Sequence, residues 1–353
     1  MSSSDWAAWA SFPWTPVTAN SSPDTTDNNT IGYHKHHVPY LPQSAPSPLQ
    51  TLDVWIPPPS TTTTTTTTSP PPHHTLPSSP TRPWIIFIHG GAWRDPFVTS
   101  SAFSSTAEHI LSSPTARNQI SGLASLNYRL SPYPSHPTSP SPPSDPSATP
   151  DPARLARHPD HIHDVLSGIG YLQRLLGATT AASAPYVLAG HSCGATLAFQ
   201  AAMDPSRWGL SPSMAIAPPA ALVGLNGLYD LAGFIAAPPA GFEGLREAYA
   251  EFTRAAFGEE ESVWRAVCPA TAEGWWPGEW DAGKGRRRVV VLVQSPEDSL
   301  VPREQLEGMR GYLEREEGGI EVREMDARGG HDGLWVDGER MARILLDVAA
   351  GLC

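Results

Sequence analysis

The stretch Ala189-Gly190-His191-Ser192-Cys193-Gly194-Ala195, read AGHSCGA, decides the fold. It follows an apolar run at residues 186–188 and precedes another at residues 197–199. Its centre fits G-x-S-x-G, in which a serine stands on a tight turn between a strand and a helix. The flanking residues must be small where the chain packs on itself, and the hydroxyl then projects at a helix N-terminus that favours developing negative charge. A chance glycine-rich turn also fits these five residues, but the flanking strand and helix favour a nucleophilic serine.

A second motif lies upstream of the serine. His89-Gly90-Gly91-Ala92-Trp93 directly follows the apolar run at residues 84–88. The backbone N–H groups of a glycine-rich loop can approach a carbonyl oxygen because no side chain blocks them. Together with the N–H of Cys193 they would form an oxyanion hole. An ordinary glycine turn is the alternative, but it does not explain why the loop follows a central strand at this point of the chain.

A serine nucleophile needs a base to remove its proton. Where a serine stands on such a turn, the chain order is serine, then acid, then histidine. The chain has 13 histidines, and His331 alone follows Ser192. His331, in a glycine turn after a strand, is therefore the predicted general base. A surface histidine is the alternative.

The acid is expected after the strand at residues 289–293, where Glu297 and Asp298 stand together. We favour Asp298, because the apolar residues that follow it can anchor the loop and hold the carboxylate inward. It would fix the imidazole tautomer and stabilise the imidazolium. Glu297 is then a solvated neighbour. Asp332, next to the base in sequence, is a weaker candidate, and Asp230, at the end of the preceding strand, is interpreted as structural.

The composition excludes several classes of protein. The net charge is -12, and residues 286–288 form the longest arginine run, so a nucleic-acid partner is not expected. Three cysteines give neither a disulfide framework nor a metal-binding spacing. No apolar stretch is long enough to span a bilayer, and the N-terminal residues do not resemble a secretory signal. We therefore predict a soluble, cytoplasmic protein without membrane partner, metal ion or cofactor.

Apolar strand-like runs alternate with helix-like stretches, which predicts a single α/β domain over residues 1–353, with a mostly parallel sheet covered on both faces. Predicted strands lie at residues 52–56 (an edge or early strand), 84–88, 122–128, 186–189, 221–226, 289–293 and 320–325. Predicted helices lie at residues 160–176 and 194–203 and around the stripe Met341, Ile344, Leu345 and Val348. Residues 57–83, with eight consecutive threonines, and the Pro/Ser-rich residues 131–152 are predicted loops, the first largely disordered.

With these residues placed, the chain resembles the α/β-hydrolases, close to the hormone-sensitive-lipase-like esterases and more specifically to the fungal kynurenine formamidases. The resemblance covers roughly residues 49–336. It is carried by LQTLDVWIP (49–57), HGGAWRDP (89–96), NYRLSP (127–132), HPDH (158–161), AGHSCGA, GLNGLYDL (224–231), SPEDSLVP (295–302) and GGHDGLW (329–335). Related esterases usually carry HGGG, whereas the formamidases carry HGG-x-W. Trp93 therefore favours the formamidases.

The resemblance implies hydrolysis of N-formyl-L-kynurenine to L-kynurenine and formate, a step of tryptophan breakdown toward NAD, without a cofactor. It implies a nucleophile, acid and base at Ser192, Asp298 and His331. The residues implied around the oxyanion hole are Gly90, Gly91, Ala92 and Cys193. A homodimer is a family-level expectation. The alternatives are a carboxylesterase of the same fold that acts on small esters and, from a different class, a non-catalytic binding module.

The formyl group needs almost no acyl pocket, whereas the aromatic ring of such a substrate needs an apolar wall. The candidates for that wall are Trp93, Tyr133, Tyr229 and Trp335. Each of these side chains is equally able to pack in the core. The sequence names no charge partner for the amino-acid end of the substrate.

Overall fold

The computed structural model describes residues 3–18, 30–41, 47–58, 76–177, 184–211, 216–276, 278–280, 288–315 and 321–352. The strands are β1 Thr15–Thr18, β2 Thr30–Pro39, β3 Thr51–Ile56, β4 Trp84–Ile88, β5 Gly122–Leu126, β6 Tyr186–His191, β7 Ala221–Leu225, β8 Val289–Gln294 and β9 Glu321–Asp326. The helices are α1 Ser3–Ser11, α2 Ser104–Ser112, α3 Pro114–Arg117, α4 Asp160–Leu175, α5 Cys193–Gln200, α6 Leu231–Ala236, α7 Arg246–Phe257, α8 Glu261–Val267, α9 Arg303–Arg315, α10 Gly333–Asp337 and α11 Glu339–Ala350.

The strands form one sheet in the order β1-β2-β3-β5-β4-β6-β7-β8-β9. In the part of the sheet with the order β5-β4-β6-β7-β8-β9, all neighbouring strands are parallel. The pairs β1–β2, β2–β3 and β3–β5 are antiparallel. The central strand β4 is apolar at every position because both of its sides are covered. Ile86 and Ile88 pack into the core on one face, and Ile85 and Phe87 into the core on the other.

Helices cover both faces of the sheet. The core on one face takes residues from α4, α5, α7 and α9, and the core on the other face takes residues from α2 and α11. The predicted stripe of α11 is buried at all four of its positions. The prediction of a mostly parallel sheet with helices on both faces is confirmed.

The N-terminal side of the sheet differs from the prediction. We expected residues 52–56 to be an edge or early strand. The strand β3 is early in chain order, but it is not at the edge: it lies inside the sheet between β2 and β5, and all its residues are buried. The strands β1 and β2, which the sequence analysis did not identify, extend the sheet beyond β3. The strand β3 therefore has hydrogen-bonded neighbours on both sides.

The two predicted loops differ in what the structure describes. Most of the Thr/Pro-rich segment 57–83 lies outside the described residues, so its predicted disorder stays a prediction. Residues 131–152 form an irregular segment without a regular helix or strand, in which Tyr133 and Ser141 make one isolated antiparallel bridge. Within the described ranges, no helix combines the length and the apolar character that crossing a membrane requires.

A buried lysine attaches the N-terminal helix to the sheet. Lys35 on β2 has no solvent exposure, and its ammonium donates to the backbone carbonyls of Trp9, at 2.8 Å, and Phe12. The same ammonium lies 4.6 Å from the ring centre of Trp9 and 5.1 Å from that of Trp14. Burial lowers the pKa of Lys35 to about 8. Two carbonyls and two aromatic faces replace the water that this cation has lost.

We predict that Lys35→Met releases the N-terminal helix. The substitution removes the lysine donor from two carbonyls; that of Trp9 keeps the amide of Phe12 at 3.3 Å, whereas that of Phe12 loses its donor, and a buried carbonyl without a partner costs about 1–3 kcal/mol. Hydrogen exchange should become faster in residues 3–18 while β4 and β6 stay protected. Arg343→Met, which removes an exposed ion pair with Glu339 on α11, is the matched control. Unchanged exchange in residues 3–18 would contradict this account.

Candidate active site

The turn between β6 and α5 holds Ser192 in a left-handed conformation, with φ 56° and ψ −123°. Two glycines permit the turn by close approach. A Cβ on Gly190 would lie 2.0 Å from the carbonyl oxygen of Gly194, and a Cβ on Gly194 would lie 2.3 Å from that of Ile88. The amide of Ser192 donates to the carbonyl of Leu225 on β7 at 2.9 Å. The serine hydroxyl is thus carried at the carboxyl edge of the sheet on a tightly packed turn.

The structure brings His331 and Asp298 together from the loops after β9 and β8. Nδ1 of His331 lies 2.7 Å from Oδ2 of Asp298, whose side chain is fully buried. Oδ1 of Asp298 accepts the amides of Leu300 at 2.8 Å and Val301 at 2.9 Å. With its Nδ1–H donated to the carboxylate, the ring leaves Nε2 to accept a proton.

Ser192 and His331 line the same cavity. Among the described residues, no hydrogen bond joins the Ser192 hydroxyl to the His331 ring. Such bonds are often long before substrate binds. The structure therefore brings together the three residues that the sequence predicts as a Ser-His-Asp triad.

The other acids considered for the triad have different contacts. Glu297 is exposed to solvent. Asp332 lines the cavity and accepts a hydrogen bond from the indole N–H of Trp335 at 3.0 Å. Asp230 caps α6 by accepting the amide of Gly233. Among these carboxylates, Asp298 is the one that contacts the imidazole of His331.

Two side chains that the sequence analysis missed hold the backbone of His331. Its carbonyl oxygen accepts Nε2–H of His191 at 2.9 Å and the amide side chain of Asn226 at 3.0 Å. Asn226, which follows β7, also accepts the amide of Ser295 through Oδ1. Burial, and then the charge of His331, lower the pKa of His191 to about 3, so His191 is neutral. The sequence feature that could have identified both residues is a polar side chain at the end of a parallel strand.

The loop after β4 turns through three consecutive left-handed residues, Gly91, Ala92 and Trp93, with φ of 92°, 49° and 58°. The amide of Trp93 donates to Sγ of Cys193 at 3.2 Å, and burial raises the pKa of that thiol to about 11. The hydroxyl of Tyr128 lies 3.0 Å from the carbonyl oxygens of both His89 and Gly90.

These contacts leave backbone donors beside the nucleophile. In the described part of the chain, the amides of Gly91, Ala92 and Cys193 donate to no backbone carbonyl. These are three of the four residues that the sequence places around an oxyanion hole; Gly91 and Ala92 line the same cavity as Ser192, whereas Gly90 does not. The amides of Ala92 and Cys193 interact with Sγ of Cys193, which is a weak acceptor, so a substrate oxygen that enters the cavity can compete for them.

The cavity has a volume of about 240 Å³. Its wall is mostly apolar, with residues from α7 and from the loops after β4, β7 and β8. The apolar and aromatic lining residues are Ala92, Val98, Tyr133, Leu228, Leu245, Ala248, Tyr249, Phe252, Leu300 and Val301. The charged lining residues, apart from His331, are Arg94, Asp95 and Asp332. The cavity thus combines an apolar wall with charges of both signs.

Tyr133 alone among the four predicted wall residues lines this cavity. Trp93 is fully buried, because the left-handed loop turns its ring inward against Phe257, with ring centres 4.9 Å apart. Tyr229 is buried against Phe199. Trp335 is half-buried and packs against the core on the opposite face of the sheet. Of the two alternatives that the sequence left open, core packing holds for Trp93 and Tyr229, and Trp335 packs at the margin of the core, so the assignment to the cavity wall is wrong for these three residues.

Two groups of side chains have the donor types of a metal site. The potential ligand atoms of His34, His36 and Asp53 lie within 4.8 Å of one another, and so do those of His191, His331 and Asp332. The rings of His34 and His36 are only 3.5 Å apart between centres, closer than two imidazoles on one tetrahedral ion. In the second group Nδ1 of His331 already binds Asp298. The expectation of no metal and no cofactor stays a prediction.

Comparison with known proteins shows the family to which the chain belongs. The profile of the alpha/beta hydrolase family matches residues 85–344, which is most of the chain. Among solved structures, esterase B from Lactobacillus rhamnosis superposes with a TM-score of 0.58 and 13% sequence identity, covering 99% of this chain and 92% of that one. That likeness concerns the fold alone. The sheet order, the serine turn and the profile together define an alpha/beta hydrolase.

Sequence relatives identify a smaller group within this family. A kynurenine formamidase-like hydrolase from Fusarium equiseti is 37% identical over 312 residues, covering 88% of this chain and 92% of that protein. A kynurenine formamidase from Aspergillus versicolor is 33% identical over 274 residues, covering 74% and 86%. The chain therefore belongs to the kynurenine formamidase group of the alpha/beta hydrolase family.

We predict that Asn226→Gly lowers kcat by about 100-fold, because a small displacement of a catalytic group costs about that much. Glycine keeps the positive φ of 45° at this position and removes both side-chain hydrogen bonds. The assay is hydrolysis of p-nitrophenyl acetate, with the exposed Asn118→Gly as control. A rate equal to that of the unsubstituted protein would show that Asn226 does not position His331.

We predict that Tyr128→Phe lowers kcat about tenfold or more with little change in KM, because the loop that carries the oxyanion donors loses its hydroxyl contact. Tyr186→Phe is the matched control. Its hydroxyl is also buried and donates to a carbonyl, that of Ala217, at the opposite edge of the sheet. Both variants should lose thermal stability, and only Tyr128→Phe should lose rate. An equal rate loss in both would refute the role of Tyr128.

Proposed function

We propose that the protein hydrolyses N-formyl-L-kynurenine to L-kynurenine and formate. The observation that carries the proposal is the cavity that Ser192 and His331 both line, with Asp298 bound to His331 and with Gly91 and Ala92 on the same wall as the serine. The names of the relatives, kynurenine formamidase, indicate which substrate we propose. The partner of the site is accordingly a small molecule. The homodimer and the cytoplasmic location stay predictions.

The reaction follows from the positions of these groups. The hydroxyl of Ser192 attacks the formyl carbon while Nε2 of His331 takes its proton. The amides of Gly91, Ala92 and Cys193 receive the charge that develops on the formyl oxygen. The imidazolium, stabilised by Asp298, then protonates the arylamine, which leaves more readily than an alkylamine would.

The second half of the reaction releases formate. A formyl ester on Ser192 remains after the arylamine has left. His331 activates a water molecule, the water adds to the formyl carbon, and the serine recovers its proton as formate leaves. The formyl carbon carries only a hydrogen in place of the alkyl chain of a larger acyl group, so it needs almost no acyl pocket.

A carboxylesterase acting on small esters is the second candidate. The same nucleophile, base and acid would serve it, and the solved structures that share the fold include esterases. The substrates therefore have to discriminate the two functions. A non-catalytic binding module is the third reading, and it requires that no substrate turns over.

We predict that the purified protein releases L-kynurenine from N-formyl-L-kynurenine far faster than it cleaves a small aryl ester. Ser192→Ala should lose about 10⁴–10⁶-fold in rate while its circular dichroism stays unchanged. Product absorbance follows the reaction. Ester cleavage without kynurenine release would move the protein to the esterases, and no turnover of either substrate would favour a binding module. Retained turnover in Ser192→Ala would overturn the assignment of the nucleophile.

A further inference from the structure

One charged side chain in the cavity has no part in the mechanism above. Arg94 follows the oxyanion loop directly, and its amide donates to the carbonyl of Gly91 at 2.9 Å. Its side chain lines the cavity together with Ser192 and is 7% exposed. In the described part of the chain, Arg94 is the only arginine or lysine on the wall of this cavity. We propose that Arg94 binds the α-carboxylate of the substrate, an inference that rests on the proposed function.

Two neighbours hold the guanidinium in place. Its central carbon lies 3.8 Å from the ring centre of Tyr133, which is itself a cavity residue. Nη1 lies 3.2 Å from Oε1 of Glu251 on α7. Glu251 is fixed in turn by the hydroxyl of Ser135, which donates to Oε1 at 2.7 Å. The planar group is therefore stacked on one side and held at one edge, which orients it before any ligand binds.

The pair with Glu251 does not use all the donors of Arg94. The guanidinium carries five N–H groups, and a single hydrogen bond of 3.3 Å, from Nη2 to Oε2, joins it to Glu251. Nη1 is buried and makes no hydrogen bond of acceptable geometry. A buried donor of this kind gains most from a carboxylate, which can accept two parallel hydrogen bonds from one guanidinium.

Glu251 keeps its negative charge beside the arginine. Burial opposes its ionisation, but the hydrogen bond from Ser135 and the contact with Arg94 together lower its pKa. Its carboxylate is 39% exposed, so water shares in its solvation. A substrate carboxylate can therefore join the guanidinium without removing a fully buried partner from it.

The cavity also carries the opposite charge. Asp95 and Asp332 lie on the same wall as Arg94. One oxygen of Asp95 accepts the amide of Phe97 at 2.8 Å, which holds that carboxylate in place. An ammonium and a carboxylate on one carbon would thus find charges of both signs, between the apolar wall and the nucleophile. This pattern fits the zwitterionic end of an aryl-formamide amino acid.

Two substrates that differ only in the carboxylate test the proposal. These are N-formyl-L-kynurenine and its decarboxylated analogue, N-formylkynuramine. In Arg94→Met, KM for N-formyl-L-kynurenine should rise about 10- to 100-fold, the worth of hydrogen bonds to a charged group. The change for N-formylkynuramine should be much smaller, so that the preference for the carboxylate disappears. The KM of Arg94→Lys for N-formyl-L-kynurenine should lie between that of the unsubstituted protein and that of Arg94→Met, because lysine keeps the charge but lacks the planar guanidinium.

Arg207→Met is the matched control, since Arg207 also pairs with a glutamate, Glu279, but does not line the cavity. It should leave the ratio of the two KM values unchanged. Equal losses on both substrates in Arg94→Met would assign Arg94 a structural role only. Unchanged kinetics on both would also overturn the proposal.

A second readout separates this proposal from the proposed function. L-kynurenine and kynuramine can be compared as competitive inhibitors of p-nitrophenyl acetate hydrolysis, which needs no formamidase activity. The carboxylate-bearing inhibitor should bind more tightly to the unsubstituted protein, and Arg94→Met should abolish that difference. If neither formamide is hydrolysed but this difference is present, the proposed reaction fails and the carboxylate site stands. If the two inhibitors bind equally well to the unsubstituted protein, the carboxylate site fails.

Discussion

The close approach of two glycine backbones, at Gly190 and Gly194, governs the rest of the site. Because neither residue has a side chain, β6 and α5 can meet through a single left-handed residue, Ser192. The same turn lets the serine amide reach the next strand and sets Cys193 beneath the loop after β4. This one backbone contact therefore fixes where Ser192, the oxyanion loop and the adjoining wall of the cavity lie relative to one another.

The histidine is held twice, by its ring and by its backbone. Asp298 fixes the imidazole through Nδ1, while His191 and Asn226 hold the carbonyl of His331. These donors stand at the ends of β6 and β7, so His331 is held by the strand that precedes Ser192 and by the next strand towards Asp298. A loop rich in glycine can thus present a base in one orientation, since its freedom is removed by contacts outside the loop.

The sequence sufficed to select Ser192, Asp298 and His331 as the proposed triad, because a motif and the order of three residues single them out without knowledge of their distances. It sufficed for β4, β6, β7 and β8, since strands buried on both sides are almost continuously apolar. It did not suffice for β2, in which histidines and a lysine interrupt the apolar pattern and a buried cation is satisfied by a distant helix. The direction of Trp93 depends on three consecutive positive φ angles, which the letters HGGAW do not reveal.

The antiparallel pairing of β3 has a consequence for how the chain tolerates variation in length. Ile56 at the end of β3 lies near the start of β4, because β3 runs opposite to β5 and β5 runs parallel to β4. The long Thr/Pro-rich connection thus leaves and rejoins the sheet at the edge opposite the nucleophile. The free energy of closing a connection grows slowly with its length, by about 0.6 kcal/mol for each doubling. A change in the length of this connection would therefore leave the carboxyl edge of the sheet in place, whereas a change in length within residues 131–152 would displace Tyr133, which lines the cavity.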